Sequence, residues 1–218
     1  MRRMFLPALF VAAAMFAFAP VYVARAPFES TMGLVQKIFY FHFPSAILML
    51  TSAIVSGVGS AWFLARKRPS ADRLAFAAAE LTVLFGLLTL VTGPLWARKA
   101  WGVWWQWDAR LTMSLLLWMI FVAYLLLRKY GGPGSETLSA GLAVFGMANV
   151  PFIYVSVNVW RTIHPKTTVV PTLPVDMSAP LWFCFAAFAL LYMTLLTARM
   201  RLEEQRSQLE QLYLEIED

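Results

Sequence analysis

Three observations predict an all-α integral membrane protein with six transmembrane helices. The 218-residue chain is 60% hydrophobic and only 14% charged, with a mean hydropathy of +0.65. Soluble domains run at roughly 45–50% apolar and about 25% charged. Six apolar stretches, near 4–24, 44–65, 73–95, 111–127, 137–157 and 179–198, are each long enough for a bilayer, which takes about 20 residues at the helical rise. The 18 Lys and Arg residues sit mostly at the ends of those stretches, where they orient helices. The net charge of +6 and pI of 9.7 therefore point to a lipid bilayer as partner and not to nucleic acid. Backbone groups facing lipid must be satisfied internally, so the spans are helices.

The first span follows Met1-Arg2-Arg3 and ends at Ala24-Arg25. It imitates a signal peptide, but its apolar core exceeds the roughly 7–15 residues of a signal h-region, so a retained helix is expected. With the N-terminus in the cytoplasm, eleven positive residues fall inside: Arg2, Arg3, Arg66, Lys67, Arg68, Arg73, Arg128, Lys129, Arg199, Arg201 and Arg206. Seven fall outside: Arg25, Lys37, Arg98, Lys99, Arg110, Arg161 and Lys166. That excess predicts N- and C-termini in the cytoplasm.

The first outer segment ends in Lys37-Ile-Phe-Tyr-Phe-His42-Phe-Pro44. This puts His42 at the outer mouth of the second span, with Pro44 expected to start the helix. Ser52, Ser56 and Ser60, beside Ala53, Gly57 and Ala61, form a small-residue row that lets another backbone come close, within the chain or on a partner. The third span contains Glu80, an intramembrane charge expected to pair, with Arg73 seven residues earlier on the same face and Arg66 near that side. Thr92-Gly93-Pro94 ends this span. Asp108 stands just before Ala-Arg-Leu-Thr, positioned to cap the fourth helix. Gly131-Gly-Pro-Gly-Ser is an inner turn dense in breakers. The fifth span carries Gly141, Gly146, Asn149, Pro151, Ser156 and Asn158, polar enough for its outer half to line a cavity.

Residues 1–198 then form a transmembrane domain and 199–218 a cytoplasmic helical tail. In the tail, Leu202, Leu209 and Ile216 recur at seven-residue spacing, and acidic residues predominate. Cys184 is the only cysteine and lies in an apolar run. There is accordingly no disulfide and no Cys-x-x-Cys-His for covalent haem attachment, and Cys184 reads as packing.

The stretch Trp101-Gly-Val-Trp104-Trp105-Gln106-Trp107-Asp108 carries four of the nine tryptophans, with Arg98 and Lys99 before it and Arg110 after it. Such a wall suits a planar apolar ligand with anionic substituents, stacked on aromatic faces and paired with Arg or Lys. It also fits an interfacial aromatic belt. The chain's only two histidines, His42 and His164, fall on the same outer surface, the second within Trp160-Arg161-Thr-Ile-His164-Pro165-Lys166. Neutral imidazole is a good iron ligand, and haem is planar and apolar with two anionic propionates. Two other readings stay open. A b-type electron-transfer subunit would generally bury its histidines inside spans. A transporter subunit for another apolar solute gives no reason for two facing histidines.

Trp101-Gly-x-Trp104-Trp105-x-Trp107-Asp108-x-Arg110-Leu-Thr resembles the WWD signature of haem-handling membrane proteins. Six spans, a histidine in Tyr-Phe-His42-Phe-Pro-Ser before the second span and a histidine after the fifth are similar to the short branch of that group, the haem exporter protein C (CcmC) family of bacterial cytochrome c maturation. The related haem lyases share the loop but are much longer. The resemblance covers nearly the whole chain; the acidic tail has no counterpart in it. It implies a multi-pass protein of the bacterial inner membrane whose periplasmic WWD loop joins helices three and four. Haem b would be held by His42 and His164 as axial ligands, with Trp101, Trp104, Trp105, Trp107 and Asp108 along one edge. Arg110 and Arg161, with Lys99 and Lys166, are the candidates for the propionates. The implied partners are the periplasmic haem chaperone CcmE, whose own histidine bonds a haem vinyl group, the ABC-type complex of CcmA and CcmB, and the small subunit CcmD. No acid–base pair stands out besides Asp108 and the ligands, so a haem-handling protein is expected and not an enzyme.

Overall fold

The computed structural model describes residues 2–217. The chain forms α1 (Arg2–Arg25), a 3-10 turn (Leu34–Ile38), α2 (Phe39–Arg66), α3 (Pro69–Ala100), α4 (Ala109–Tyr130), α5 (Ser135–Val159), a second 3-10 turn (Val170–Thr172) and α6 (Val175–Glu217). All six α-helices are long and apolar enough to cross a membrane. This is a multi-pass, all-helical membrane protein.

Helix α2 is the centre of the bundle, packed against α3, α5 and α6; α4 closes the side between α3 and α5, and α1 lies outside against α6. The small-residue row explains this arrangement. The Ser52 hydroxyl donates to the Ala78 carbonyl (2.7 Å) and Ser56 to the Ala75 carbonyl (2.8 Å). A side chain at Gly59 would meet the Ala71 carbonyl oxygen at 3.1 Å. The row therefore packs within the chain, on the alanine face of α3, where close backbone contact replaces the hydrophobic drive that lipid cannot supply. On another side of α2, Gly57 receives Met147 of α5, whose Cβ would lie 2.4 Å from an added Cβ.

Several helix limits differ from the sequence expectation. Pro44 lies inside α2, not at its start, because the turn at Leu34–Ile38 already winds the chain and the helix begins at Phe39. His42 is thus carried by the helix itself. Helix α3 runs on to Ala100, so Thr92-Gly93-Pro94 lies within it. Interior prolines are tolerated in membrane helices because neighbouring groups satisfy the freed backbone. Helix α6 continues without a break from the membrane span through residues 199–217.

At the end of the bundle away from His42, charges close in pairs. Arg199 grips Glu80 through two bonds of 2.5 and 2.7 Å and also reaches Glu203 at 3.1 Å. The expected partner of Glu80, Arg73, instead lies 3.9 Å from Glu204. Seven residues along a helix are about 10.5 Å, and the extension of α6 brings a closer cation to Glu80 and an acid to Arg73. Arg128 of α4 holds both oxygens of Asp72 on α3 at 2.7 Å.

Candidate functional site

Four segments meet at the opposite end: the start of α2, the end of α3, the tryptophan loop, and the segment between α5 and α6. His42, 8% exposed, faces α3. Its Nδ1 lies 2.9 Å from the Thr92 hydroxyl oxygen, and that hydroxyl donates to the Leu88 carbonyl at 2.6 Å. A hydroxyl has one proton. When that proton goes to Leu88, His42 Nδ1 is the donor and Nε2 keeps its lone pair; a hydroxyl turned to Nδ1 would reverse the tautomer. His164 Nδ1 lies 2.9 Å from the Pro165 carbonyl oxygen, which can only accept. The Pro165 contact fixes Nδ1–H at His164, the tautomer that histidine ligands take when the second nitrogen donates to an oxygen, and the Thr92 contact allows the same tautomer at His42.

Asp108 organises the other half of the site. One carboxylate oxygen accepts the Leu111 N–H at 2.8 Å, capping α4 as the sequence predicts, a contact of about 1 kcal/mol. Its second oxygen accepts the Thr162 hydroxyl in a short hydrogen bond and the Ile163 N–H at 3.3 Å. Thr162 in turn accepts the His164 N–H at 3.0 Å. Asp108 thus ties the tryptophan loop to the segment that bears His164. Arg110 donates to the Ile153 carbonyl of α5 at 3.0 Å.

Two cavities share His42, His164, Arg110 and Trp96 in their walls. One is a cleft of about 70 Å³ that also involves Trp101, Trp104 and Trp105. The other is a chamber of about 640 Å³, walled by apolar side chains including Met32, Phe39, Phe43, Met177 and Trp182. The larger space lies beside the histidines on the α1–α2 and α6 side, and the tryptophan side is narrow. Trp96 stands edge-on to His42, with ring centroids 5.8 Å apart, and also against Trp101 at 5.8 Å.

Of the residues singled out in the sequence, His42, His164, Trp101, Trp104, Trp105 and Arg110 converge on these cavities. Asp108 stands behind them through Thr162. Trp107 is 74% exposed and packs edge-on to Trp105. Arg161 and Lys99 are exposed and line neither cavity, whereas Lys166 lines the chamber. Thr92, Trp96 and Thr162 escaped the sequence reading. Thr92 and Trp96 sit four residues apart at the outer end of α3, next to the tryptophan loop, and that proximity was the available signal.

Burial, then the positive charge of Arg110, lowers the His164 pKa from 6.5 to about 4. The ring is neutral, and hence a potential ligand, throughout the physiological range. Among the described residues no group of three or more His, Cys, Asp or Glu side chains could hold a metal ion. Two imidazoles suit an iron that brings its remaining ligands with it.

The family model for Heme exporter protein C matches residues 1–215. The chain belongs to the haem exporter protein C family. Similar proteins include the Heme exporter protein C of Bradyrhizobium diazoefficiens, 35% identical over 197 residues, covering 88% of this chain and 75% of the relative. The Heme exporter protein C of Escherichia coli K12 is 31% identical over 201 residues, 87% of this chain and 80% of the relative. A ccmC-like mitochondrial protein of cytochrome c biosynthesis from Marchantia polymorpha is 33% identical over 178 residues, 80% of this chain and 75% of the relative.

Proposed function

We propose that this protein takes haem b as its cargo, holds the iron between His42 and His164, and presents the haem to the periplasmic chaperone CcmE during c-type cytochrome maturation. The observation that carries the reading is that the only two histidines line the same cavities, each with Nδ1 2.9 Å from an oxygen. Neutral rings with Nε2 lone pairs are what axial ligation needs. The apolar chamber suits the planar body of the cargo, and the tryptophan cleft suits one edge of it. Arg110 brings a positive charge to both cavities, where a propionate would be paired in a poorly hydrated setting.

In this reading each residue has a simple physical task. The histidines hold iron, the chamber walls exclude water, and Asp108 keeps the tryptophan loop and the His164 segment together while cargo is exchanged. No residue is assigned to bond breaking, and the protein is a handling protein of an ABC-type complex with CcmA, CcmB and CcmD. The site then faces the periplasm from the bacterial inner membrane, both termini lie in the cytoplasm, and the tail that starts at residue 199 is the cytoplasmic continuation of α6 beyond the transmembrane domain 1–198. The excess of positive residues at the opposite end of the bundle supports that orientation.

The test is the absorption spectrum of the detergent-purified protein after addition of haem, beside the double variant His42→Ala, His164→Ala. The expected result is a low-spin six-coordinate signal that the double variant loses. An unchanged signal in the double variant would remove the ligand assignment.

A further inference from the structure

Threonines that donate back to the carbonyl four residues earlier are common in this chain: Thr82, Thr89, Thr194 and Thr197 all do so. By itself that bond is a local helix habit. Thr92 makes it too, but its oxygen also lies 2.9 Å from an imidazole nitrogen. The neighbouring Gly93 adds a second, independent constraint. A Cβ there would sit 3.3 Å from His42 Cε1 and 4.0 Å from Nδ1, so the ring lies against bare backbone. Trp96, one turn on, meets the ring edge-on. One turn of α3 therefore supplies an acceptor, a gap and an aromatic wall for one histidine of α2.

We propose that Thr92 and Gly93 are positioning residues for His42: Thr92 selects the Nδ1–H tautomer, and Gly93 leaves the space in which the ring lies. Thr92–Gly93–Pro94, which in sequence looks only like the end of a span, is on this account the cradle of the first imidazole. The tautomer part stands on the hydrogen bonds alone; the consequence for iron rests on the haem reading above. A donor bond from Nδ1–H makes Nε2 more basic. The Thr92 oxygen thereby strengthens His42 as an iron ligand, favouring the oxidised iron and lowering its reduction potential.

Two measurements test this. The first needs no haem and leaves the α3 cradle unaltered. Nitrogen NMR of protein labelled with ¹⁵N-histidine shows only two imidazoles, assigned with His164→Ala. The expected result is a protonated Nδ1 and an unprotonated Nε2 at His42; the reverse tautomer would overturn the proposal whether or not haem binds. The second compares Thr92→Val, Thr92→Ser and Gly93→Ala by ferric-haem titration and redox titration. Valine keeps the shape and loses the acceptor, so affinity should fall by about 10-fold and the potential should rise, with serine restoring both. Gly93→Ala should broaden or shift the low-spin spectrum. Wild-type affinity and potential in Thr92→Val would overturn the tuning role. If His42→Ala also leaves the haem spectrum unchanged, it is the haem reading that has failed, and the tautomer result still stands on its own.

Discussion

His42 and His164 line the same cavities, but they are held by different kinds of structure. His42 belongs to the central helix, is nearly fully buried, and leans on a second helix through Thr92 and Trp96. His164 lies between α5 and α6 outside any regular element, and is held through its own neighbour Pro165 and through the chain from Thr162 to Asp108. A helix-borne ligand costs many contacts to displace, whereas a loop-borne one moves when a few hydrogen bonds open. For a protein that must both hold and hand over a cargo, this difference provides one fixed point and one releasable point.

The largest effect should come from the single histidine variants. His42→Ala should lower ferric-haem affinity by at least about 100-fold, the upper end of what loss of a supporting partner costs. His164→Ala should retain five-coordinate, high-spin haem on His42, seen by absorption and electron paramagnetic resonance. Equal losses in the two variants would erase the distinction between fixed and releasable ligand. A smaller effect is expected from Asp108→Ala, which removes the α4 cap and frees Thr162. Haem affinity should drop about 10-fold, with the helix content by circular dichroism nearly unchanged, since the cap is worth only about 1 kcal/mol. The same variant should leave the NMR tautomer of His42 intact and disturb that of His164.

The smallest effect concerns pH. His164 binds a proton at about pH 4 in the folded protein and near 6.5 when exposed. Between those values the unfolded chain binds more protons than the folded one, so acidification through that window costs stability. The folded ring itself stays neutral until the pH nears 4. Haem affinity should accordingly be flat from pH 8 to about pH 5 and decline only toward pH 4. A midpoint near 6.5 in the titration would mean that the His164 segment is open to water, and would sharpen the contrast with His42 further.

The supports of the site were far less legible than its principal residues. Thr92 looks like every other threonine in an apolar helix until α2 lays a histidine against it. Thr162 matters only because Asp108, 54 residues earlier in the chain, reaches it with its second oxygen. Glu80 announced that it needed a cation, but Arg73 on its own helix was the wrong choice, since Arg199 arrives from 119 residues away. Arg161 and Arg110 were equivalent as sequence; only the fold turns one to the cavities and leaves the other exposed.

What the sequence by itself determined is the class and the parts. Length and apolarity of a span are local properties, and a loop with four tryptophans beside Asp108 and Arg110 is a local motif. The tertiary structure alone decided which oxygen each histidine meets, which cation answers which acid, and on which side of the histidines the wide cavity lies. Those depend on contacts of a few ångströms between segments far apart in the chain. A change of one helical turn in packing would alter every one of them while leaving the hydropathy pattern as it is.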